Sequence, residues 1–242
     1  MVAKSCDHDF LFIDMQHGGI SVEAAVDITL TALGAGIAPI VRVPDCDNRD
    51  VPRLIGSGAM GIAMPAINTV DEAHRAVASC KFPPVGRQSV ADDYPHFALQ
   101  RNPLANAPAL MNDNILLVCM IETREGLKNI EEIATVDGVD VLYISANNIL
   151  NELGLSGQFE HEILRDVRER LIKVCRANGK FAGFGGDNDA ARQADFIRRG
   201  GSFVTTHSDL GYLVLGAEEH ARVLRAAQLI GGREDNNQIW SW

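Results

Sequence analysis

Three ionisable side chains lie at or just after the ends of short apolar runs, where they could take part in chemistry on a small anion. These are His17, Arg42 and Glu122. A histidine moves protons near neutral pH. The planar guanidinium of an arginine binds a carboxylate or an enolate through paired N–H groups. A glutamate binds a hard divalent cation through oxygen.

Arg42 interrupts an otherwise apolar run at residues 39–43. Burying an arginine on a strand is unfavourable unless its charge is compensated. The compensating group is either an anionic ligand or an internal partner such as Asp14. We interpret Arg42 as a ligand-binding residue, because a ligand carboxylate or enolate would offset the desolvation of its guanidinium, and we keep the internal ion pair as the alternative.

His17 and Glu122 also have structural explanations. His17 precedes Gly18 and Gly19, which indicates a loop at a strand end. A hydrogen-bonded structural histidine is as well supported there as a catalytic one. Glu122 could instead stabilise a following helix, because acidic side chains are common at helix starts. Position alone leaves both alternatives open.

Seven short apolar segments predict the strands that must position these residues. They lack a clean alternation of apolar and polar residues, which is typical of strands buried on both faces of a parallel sheet. The segments are residues 10–13, 39–43, 61–64, 115–121, 139–144, 181–184 and 202–205. Amphipathic stretches between them predict helices at residues 22–35, 50–57, 70–80, 124–135, 161–178, 187–199 and 216–230.

Repeated strand–helix units of this size predict an α/β fold with right-handed crossovers. A TIM-type (β/α)8 barrel needs eight such units, whereas the sequence supplies seven, and an open doubly wound sheet is the alternative. The barrel is favoured because no GxGxxG turn follows the first strand. It is also favoured because polar residues cluster at the strands' carboxyl ends, where barrels place their chemistry.

The composition limits the partners. The formal charge is −10, from 32 acidic and 22 basic residues, which argues against nucleic acid or an anionic membrane surface. Five widely spaced cysteines form no CxxC pair, so a reducing, cytoplasmic location is expected. Neither a secretory signal nor an apolar run of membrane-spanning length is evident.

Six segments in order resemble the HpcH/HpaI aldolase family of class II pyruvate-type aldolases, which includes macrophomate synthase. They are DFLFIDMQHG (9–18), PIVRVP (39–44), GIAMP (61–65), FPPVGR (82–87), IETREGLKN (121–129) and GVDVLYIS (138–145). The resemblance implies a barrel of the phosphoenolpyruvate/pyruvate kind that cleaves a carbon–carbon bond of a 2-keto acid through a metal-stabilised pyruvate enolate.

The resemblance also implies roles for individual residues. His17 handles protons, through a water, and Arg42 stabilises the enolate. A divalent cation, Mg or Mn, is held by Glu122 and by the residue at the position of Asn148. The substrate-binding residues implied are Gln16, Arg42, Arg87, Ser145 and Ala146.

Four departures from the family pattern stand out. Asn148 replaces the second metal carboxylate and brings no charge, so a weak metal site is expected. Gln16 replaces a glutamate, and Gly56 stands where an aspartate usually pairs with the histidine. The family's first strand and most of its helix have no counterpart before residue 7, which would explain the count of seven units.

These departures leave two alternatives to a metal-dependent lyase. They are a non-catalytic or repurposed barrel and a metal-independent lyase.

The sequence further predicts one aldolase-like domain over residues 1–242. Residues 216–242, with their terminal tryptophans, are expected at a subunit interface of a homo-oligomer, a trimer or hexamer by resemblance. Residues 83–110 read as a long loop. Its part from residue 88 to residue 110 is expected to recognise the substrate's tail, with Tyr94, His96 and the preceding Arg87 as candidate contacts.

Overall fold

Seven parallel strands form a single sheet in which the strands follow one another in sequence order. The fold is taken from a computed structural model, which describes residues 1–91, 93–98 and 106–230, with side chains described through residue 227. The strands are β1 (Phe10–Asp14), β2 (Ala38–Arg42), β3 (Gly61–Met64), β4 (Leu116–Ile121), β5 (Val141–Ser145), β6 (Phe181–Gly185) and β7 (Phe203–Val204). All seven predicted strands are confirmed, with ends that shift by a residue or two.

The sheet curls, so the open doubly wound alternative is wrong. A flat sheet would separate β1 from β7 by six strand spacings, or about 29 Å. Instead the rings of Phe10 on β1 and Phe203 on β7 stack with centroids 4.4 Å apart. Tyr143 on β5 meets Phe203 edge-on at 6.1 Å. The aromatic side chains therefore fill the inside of a curled, TIM-like sheet.

The described residues do not form a closed eight-stranded barrel. Within the ranges given above, the hydrogen-bonded ladder runs from β1 to β7, and no pairing joins these two strands. β7 contains only Phe203 and Val204, which leaves little backbone for a ladder. Stacked aromatic rings, rather than backbone hydrogen bonds, bring the ends of this sheet together.

Helices connect the strands. They are α1 (Val2–Ser5), α2 (Val22–Gly34), α3 (Val51–Gly56), α4 (Val70–Cys80), α5 (Ala107–Asn114), α6 (Arg124–Lys128), α7 (Ile130–Ala134), α8 (Ala146–Glu152), α9 (Glu162–Ala177), α10 (Ala190–Arg199) and α11 (Asp209–Ile230), with a 3-10 turn at Pro95–Phe97. The larger core lies between the sheet and these helices, and the smaller one lies inside the curl.

The predicted helix 70–80 is confirmed with its exact bounds in α4. It begins with a capping box, in which the Thr69 side chain accepts from the Glu72 N–H while the Glu72 carboxylate accepts from the Thr69 N–H. The predicted helix 187–199 is shorter than expected, because Asp189 caps α10 by accepting from the Arg192 N–H at 2.8 Å.

Several helix boundaries differ from the sequence expectation. The single helix predicted at 124–135 is two helices, α6 and α7, divided at Asn129, whose side-chain amide donates to the Asn68 carbonyl at 2.7 Å. The loop expected over 83–110 includes the start of α5, and its residues 92 and 99–105 lie outside the described residues. The short helix α8 directly follows β5 and was not predicted.

The chain divides into two compact units, Met1–Thr205 and Thr206–Trp242. The second is described here by α11, which begins earlier than the predicted residue 216. At its start the Gly211 N–H donates to the Ser208 hydroxyl at 3.0 Å. The tail 231–242, with its two tryptophans, lies outside the described residues. In the part of the chain that the structure describes, no helix has the length and apolar character needed to cross a membrane.

A buried lysine ties the amino ends of β4 and β5 to the end of α4. Lys81 is 3% exposed. Its ammonium donates to Asp140 at 2.7 Å and to the carbonyls of Asn112 and Ile115. The same Asp140 oxygen accepts from the Leu117 N–H at 2.7 Å. All three ammonium protons are used, so the charge is buried without an unmatched donor.

We expect Lys81→Met to lower the free energy of unfolding by about 3 kcal/mol, because two carbonyls lose their donor and the Asp140 carboxylate loses its cation. Urea denaturation at pH 7 measures the change. Lys128→Met, at an exposed position on α6, is the control and should change stability by less than about 0.5 kcal/mol. Equal losses in both variants would contradict a structural role for the buried ammonium.

Candidate functional site

The strand register places the predicted polar residues along one edge of the sheet. Asp14 and Arg42 are paired in the β1–β2 register, at the carboxyl ends of these strands. Glu122 follows β4, and Ser145 is the last residue of β5. Because all the strands run parallel, these ends share one edge. The structure therefore brings Asp14, Arg42, Glu122 and Ser145 to the same edge.

Asp14 and Arg42 form a bidentate ion pair. The Arg42 Nε donates to Asp14 Oδ1 at 2.8 Å, and Nη2 donates to Oδ2 at 2.6 Å. The arginine side chain is 13% exposed. The internal partner considered as an alternative is thus present, while Nη1 is not used by the pair.

The Asp14 carboxylate also shapes the turn that follows β1. Its Oδ1 accepts the N–H of Gln16 at 2.9 Å and the N–H of His17 at 3.3 Å. Burial acts to raise the pKa of Asp14, but the hydrogen bonds and charge of Arg42, with the two N–H groups, outweigh it and hold the pKa below its ordinary value. One carboxylate thus fixes both Arg42 and the backbone that carries His17.

His17 and Gln16 lie on this turn in different environments. His17 is exposed, and among the described residues no side chain hydrogen-bonds to its ring. Gln16 is half-buried, and its Oε1 is shielded from solvent and has no hydrogen-bond partner within the ranges that the structure describes. A buried acceptor of this kind can take a donor from a ligand.

Glu122 is 5% exposed and is held by donors from two other elements. Its Oε2 accepts the N–H of Ala66 at 3.0 Å, and its Oε1 accepts the side-chain amide of Asn148 at 2.9 Å. Ala66, two residues after the end of β3, has a left-handed φ of 52°. Glu122 and Asn148, predicted together as metal ligands, are therefore in direct contact.

The two side chains fit a hard cation by donor type but not by charge. A carboxylate and an amide oxygen are both ligands that Mg²⁺ or Mn²⁺ accepts. The Asn148 amide, however, presents N–H to Glu122 and would have to turn its oxygen inward. Among the described residues no group of three or more His, Cys, Asp or Glu side chains could hold a metal. The site thus offers one negative charge and at most two protein ligands of this kind.

Tyr143, which was not predicted, lies inside the curl near this edge. It is 4% exposed, and its hydroxyl hydrogen-bonds with the Thr205 hydroxyl at 2.6 Å. Its ring stacks on Phe12 at 6.4 Å, and the Arg42 guanidinium lies 5.7 Å over Phe12. Burial raises the pKa of Tyr143 to about 12. A single tyrosine in an apolar strand gives no sequence signal of this position.

The absence of a side chain at Gly185 on β6 leaves room for the Tyr143–Thr205 hydrogen bond. A Cβ at this position would lie 1.9 Å from the Tyr143 hydroxyl and 2.0 Å from the Thr205 hydroxyl. Because Gly185 lies between β5 and β7, its lack of a side chain lets the two hydroxyls meet across it. This close approach was also not evident from the sequence.

Arg87 is not brought to this edge. Its backbone N–H donates to the Ala78 carbonyl in the last turn of α4, at 2.8 Å. α4 follows β3 and runs back toward the amino end of β4, so its last turn lies at the opposite edge. Five strand residues span about 17 Å, beyond the reach of one arginine side chain. The structure therefore separates Arg87 from Arg42 and Glu122.

Two candidate substrate contacts in the long loop, and Gly56, also lie toward the amino edge. The His96 Nε2 contacts the Ala59 carbonyl at 3.0 Å, just before β3. Tyr94 is buried against Phe82, with ring centroids 6.1 Å apart. Gly56 ends α3, three residues before Ala59. Within this chain, none of these three residues joins the turn that carries His17.

We expect Asp14→Asn to lower the free energy of unfolding at pH 7 by about 2 kcal/mol, because it weakens four hydrogen bonds to one carboxylate. The folded pKa of Asp14 is depressed, so its contribution is complete above the unfolded pKa of about 3.9 and is lost as pH falls through the lower folded value.

Urea denaturation between pH 7 and pH 3 tests this. The difference between the wild type and Asp14→Asn should be constant above about pH 5 and should shrink below about pH 4. Asp9→Asn, at an exposed carboxylate just before the same strand, is the control. A difference that stays constant down to pH 3 would contradict the ion pair.

The chain is similar to known proteins over most of its length. The sequence model described as HpcH/HpaI aldolase/citrate lyase matches residues 2–214. A 4-hydroxy-4-methyl-2-oxoglutarate aldolase of Hapsidospora irregularis is 34% identical over 233 residues, which cover 94% of this chain and 86% of the relative.

Two solved structures share the fold. The HpcH/HpaI aldolase from Desulfitobacterium hafniense superposes with a TM-score of 0.87 at 24% identity, covering 93% of this chain and 86% of the other. Macrophomate synthase superposes with a TM-score of 0.78 at 23% identity, covering 96% and 81%. The resemblance stated from six sequence segments is confirmed. The chain belongs to the HpcH/HpaI aldolase/citrate lyase family and is a carbon–carbon lyase of that family.

Proposed function

We propose that this lyase cleaves a 4-hydroxy-2-keto acid by retro-aldol reaction and releases pyruvate or a close analogue. The observation that carries the proposal is the Asp14–Arg42 pair, which holds a guanidinium at the sheet edge that also carries Glu122 and the His17 turn. The Hapsidospora relative is named for a substrate of this class. Decarboxylation of oxaloacetate would form the same enolate and is the second reaction to test.

Arg42 binds the carboxylate or the developing enolate in this proposal. Asp14 occupies Nε and one position on Nη2, which leaves Nη1 and the second Nη2 proton for a ligand. A guanidinium held in place stabilises negative charge that appears as the bond breaks. Phe12 lies below the guanidinium and limits its movement.

His17 moves the proton. In retro-aldol cleavage a base removes the proton from the C4 hydroxyl, the C3–C4 bond breaks, and C4 becomes a carbonyl carbon. The electron pair passes to C3 as the enolate, which takes up a proton to give the keto acid. An exposed histidine on a fixed turn can exchange this proton directly or through a water. Gln16, Ser145 and Ala146, beside the same edge, are proposed to contact the substrate.

A Mg or Mn ion is proposed to bind at Glu122 and Asn148, the oxygen-bearing pair of this edge. When bound, such a cation draws electron density from the keto oxygen. Arg87, which lies at the other edge of this chain, is not part of the site proposed here. Its role as a substrate contact would need a second copy of the chain.

The proposal is tested by coupling pyruvate release to NADH oxidation through lactate dehydrogenase. The substrates are 4-hydroxy-4-methyl-2-oxoglutarate, which would give two pyruvates, and oxaloacetate. We expect turnover of at least one in the presence of Mg²⁺ or Mn²⁺. His17→Gln should lower kcat by about 100-fold or more, and Arg42→Lys should lower kcat/KM by a similar factor.

The controls are exposed residues of the same types, His74→Gln on α4 and Arg198→Lys on α10. Both should retain wild-type rates. No pyruvate from either substrate would reject the proposed reaction. Turnover that survives in His17→Gln or in Arg42→Lys would reject the role given to that residue.

We also propose that the protein is a cytoplasmic homo-oligomer, a trimer or hexamer, with α11 at an interface. Apart from the half-buried Gly211, the side chains of residues 209–227 are exposed. They include large apolar groups, among them Leu213 at 69% and Leu224 at 58% exposure. Apolar surface of this extent favours burial against another subunit. The five free cysteines fit a reducing compartment.

Light scattering coupled to size exclusion measures the mass. We expect a multiple of the 26.2 kDa chain for the wild type and a smaller species for the double variant Leu213→Glu with Leu224→Glu, because charges would be buried at the interface. Glu218→Gln, an exposed change on the same helix, should leave the mass unchanged. A monomeric wild type would contradict the proposal.

A further inference from the structure

Asn148 lacks the charge of the aspartate or glutamate that the family has at this position. In addition, its side-chain amide hydrogen-bonds to the Glu122 carboxylate, the other predicted cation ligand. Its N–H donates to Glu122 Oε1 at 2.9 Å, and the Ala66 N–H donates to Oε2 at 3.0 Å. Each Glu122 oxygen is thus already satisfied by one donor. A cation that enters must compete with the amide N–H, and the amide must turn to offer its oxygen.

The charge at this position is too low to favour a lone dication. Glu122 supplies one negative charge. Two further carboxylates at the carboxyl ends of the strands, Asp14 on β1 and Asp187 after β6, are each neutralised by a bidentate arginine, Arg42 and Arg192. Cation affinity at oxygen sites depends strongly on the number of charged ligands. Any other negative charge has to arrive with the ligand.

We propose that the cation and the keto acid bind this site as one unit. The keto acid carries a carboxylate, which supplies the charge that Asn148 lacks. Cation binding is therefore weak in the substrate-free protein and strong in its complex. The inference rests on the proposed function, since it takes the same pocket and the same class of substrate.

Thermodynamic linkage makes the proposal measurable without turnover. If a keto-acid analogue raises the affinity for the cation by some factor, the cation raises the affinity for the analogue by the same factor. An aspartate at position 148 would supply the charge permanently. The affinity of the substrate-free protein should then rise, and the linkage factor should fall.

The experiment titrates Mn²⁺ by electron paramagnetic resonance, which counts free Mn²⁺, with and without oxalate as a planar dianion that resembles the enolate. We expect oxalate to strengthen Mn²⁺ binding to the wild type by about 100-fold, and to Asn148→Asp by less than about 10-fold. Without oxalate, Asn148→Asp should bind Mn²⁺ at least about 10-fold more tightly than the wild type.

Two variants separate charge from other effects. Asn147→Asp adds the same charge one residue away, on an exposed side chain, and should behave like the wild type. Asn148→Ala removes the competing N–H without adding charge, so its strong dependence on oxalate should persist. It also keeps the proposal testable if Asn148→Asp does not fold, because two carboxylates in contact repel one another.

The outcomes are distinct. Equal Mn²⁺ affinity of substrate-free wild type and Asn148→Asp would overturn the inference, as would Mn²⁺ binding to the wild type that oxalate does not strengthen. Pyruvate release that continues at full rate in metal-free, chelator-treated protein would overturn it while leaving the proposed lyase reaction intact. Coupled binding without pyruvate release from either substrate would support the inference and reject the reaction.

Discussion

The bidentate pair between Asp14 and Arg42 joins the first two strands at the edge that carries the candidate site. A carboxylate has room for about four hydrogen bonds, and Asp14 uses this capacity on two side-chain and two backbone donors. The arginine is thereby kept on an apolar strand with its charge compensated. The turn that carries His17 is fixed by the same oxygen. Removing this carboxylate would therefore disturb the arginine, the turn and the histidine together.

Glu122, the second charged group of the candidate site that is largely buried, is stabilised by neutral donors rather than by an ion pair. Glu122 is buried, and a buried carboxylate must be hydrogen-bonded. Its two donors come from the segment after β3 and from α8, so it links three consecutive strand–helix units. A second carboxylate at position 148 would need a cation between the two groups. The amide allows direct contact, which stabilises the protein alone and leaves this pair of side chains with a single negative charge.

Aromatic side chains packed inside the curled sheet determine its curvature. Phe10, Phe12, Tyr143 and Phe203 form a connected set of rings that reaches from β1 to β7. Ring packing is less directional than a hydrogen-bond ladder and tolerates the short β7. Glycine at position 185 admits the Tyr143 hydroxyl to Thr205. The curvature of the sheet is thus set by side-chain volumes rather than by backbone pairing.

The sequence alone determined much of this protein. Apolar runs defined all seven strands, because doubly buried strands need continuous apolar surface. Polar residues at the run ends predicted the edge that carries the candidate site, because parallel strands bring their carboxyl ends together. The segment that ends in Asp14-Met15-Gln16-His17 and the strand with Arg42 indicated the family. These are local patterns, readable from residues close in the chain.

The tertiary structure decided what depends on residues far apart in the chain. It paired Arg42 with Asp14, turned the Asn148 amide toward Glu122, and placed the Tyr143 hydroxyl against Thr205. It also moved Arg87 and His96 to the opposite edge, because the helix before them runs back along the sheet. A linear pattern shows that a polar group is present, but its partner is chosen by packing between elements that the sequence separates by tens of residues.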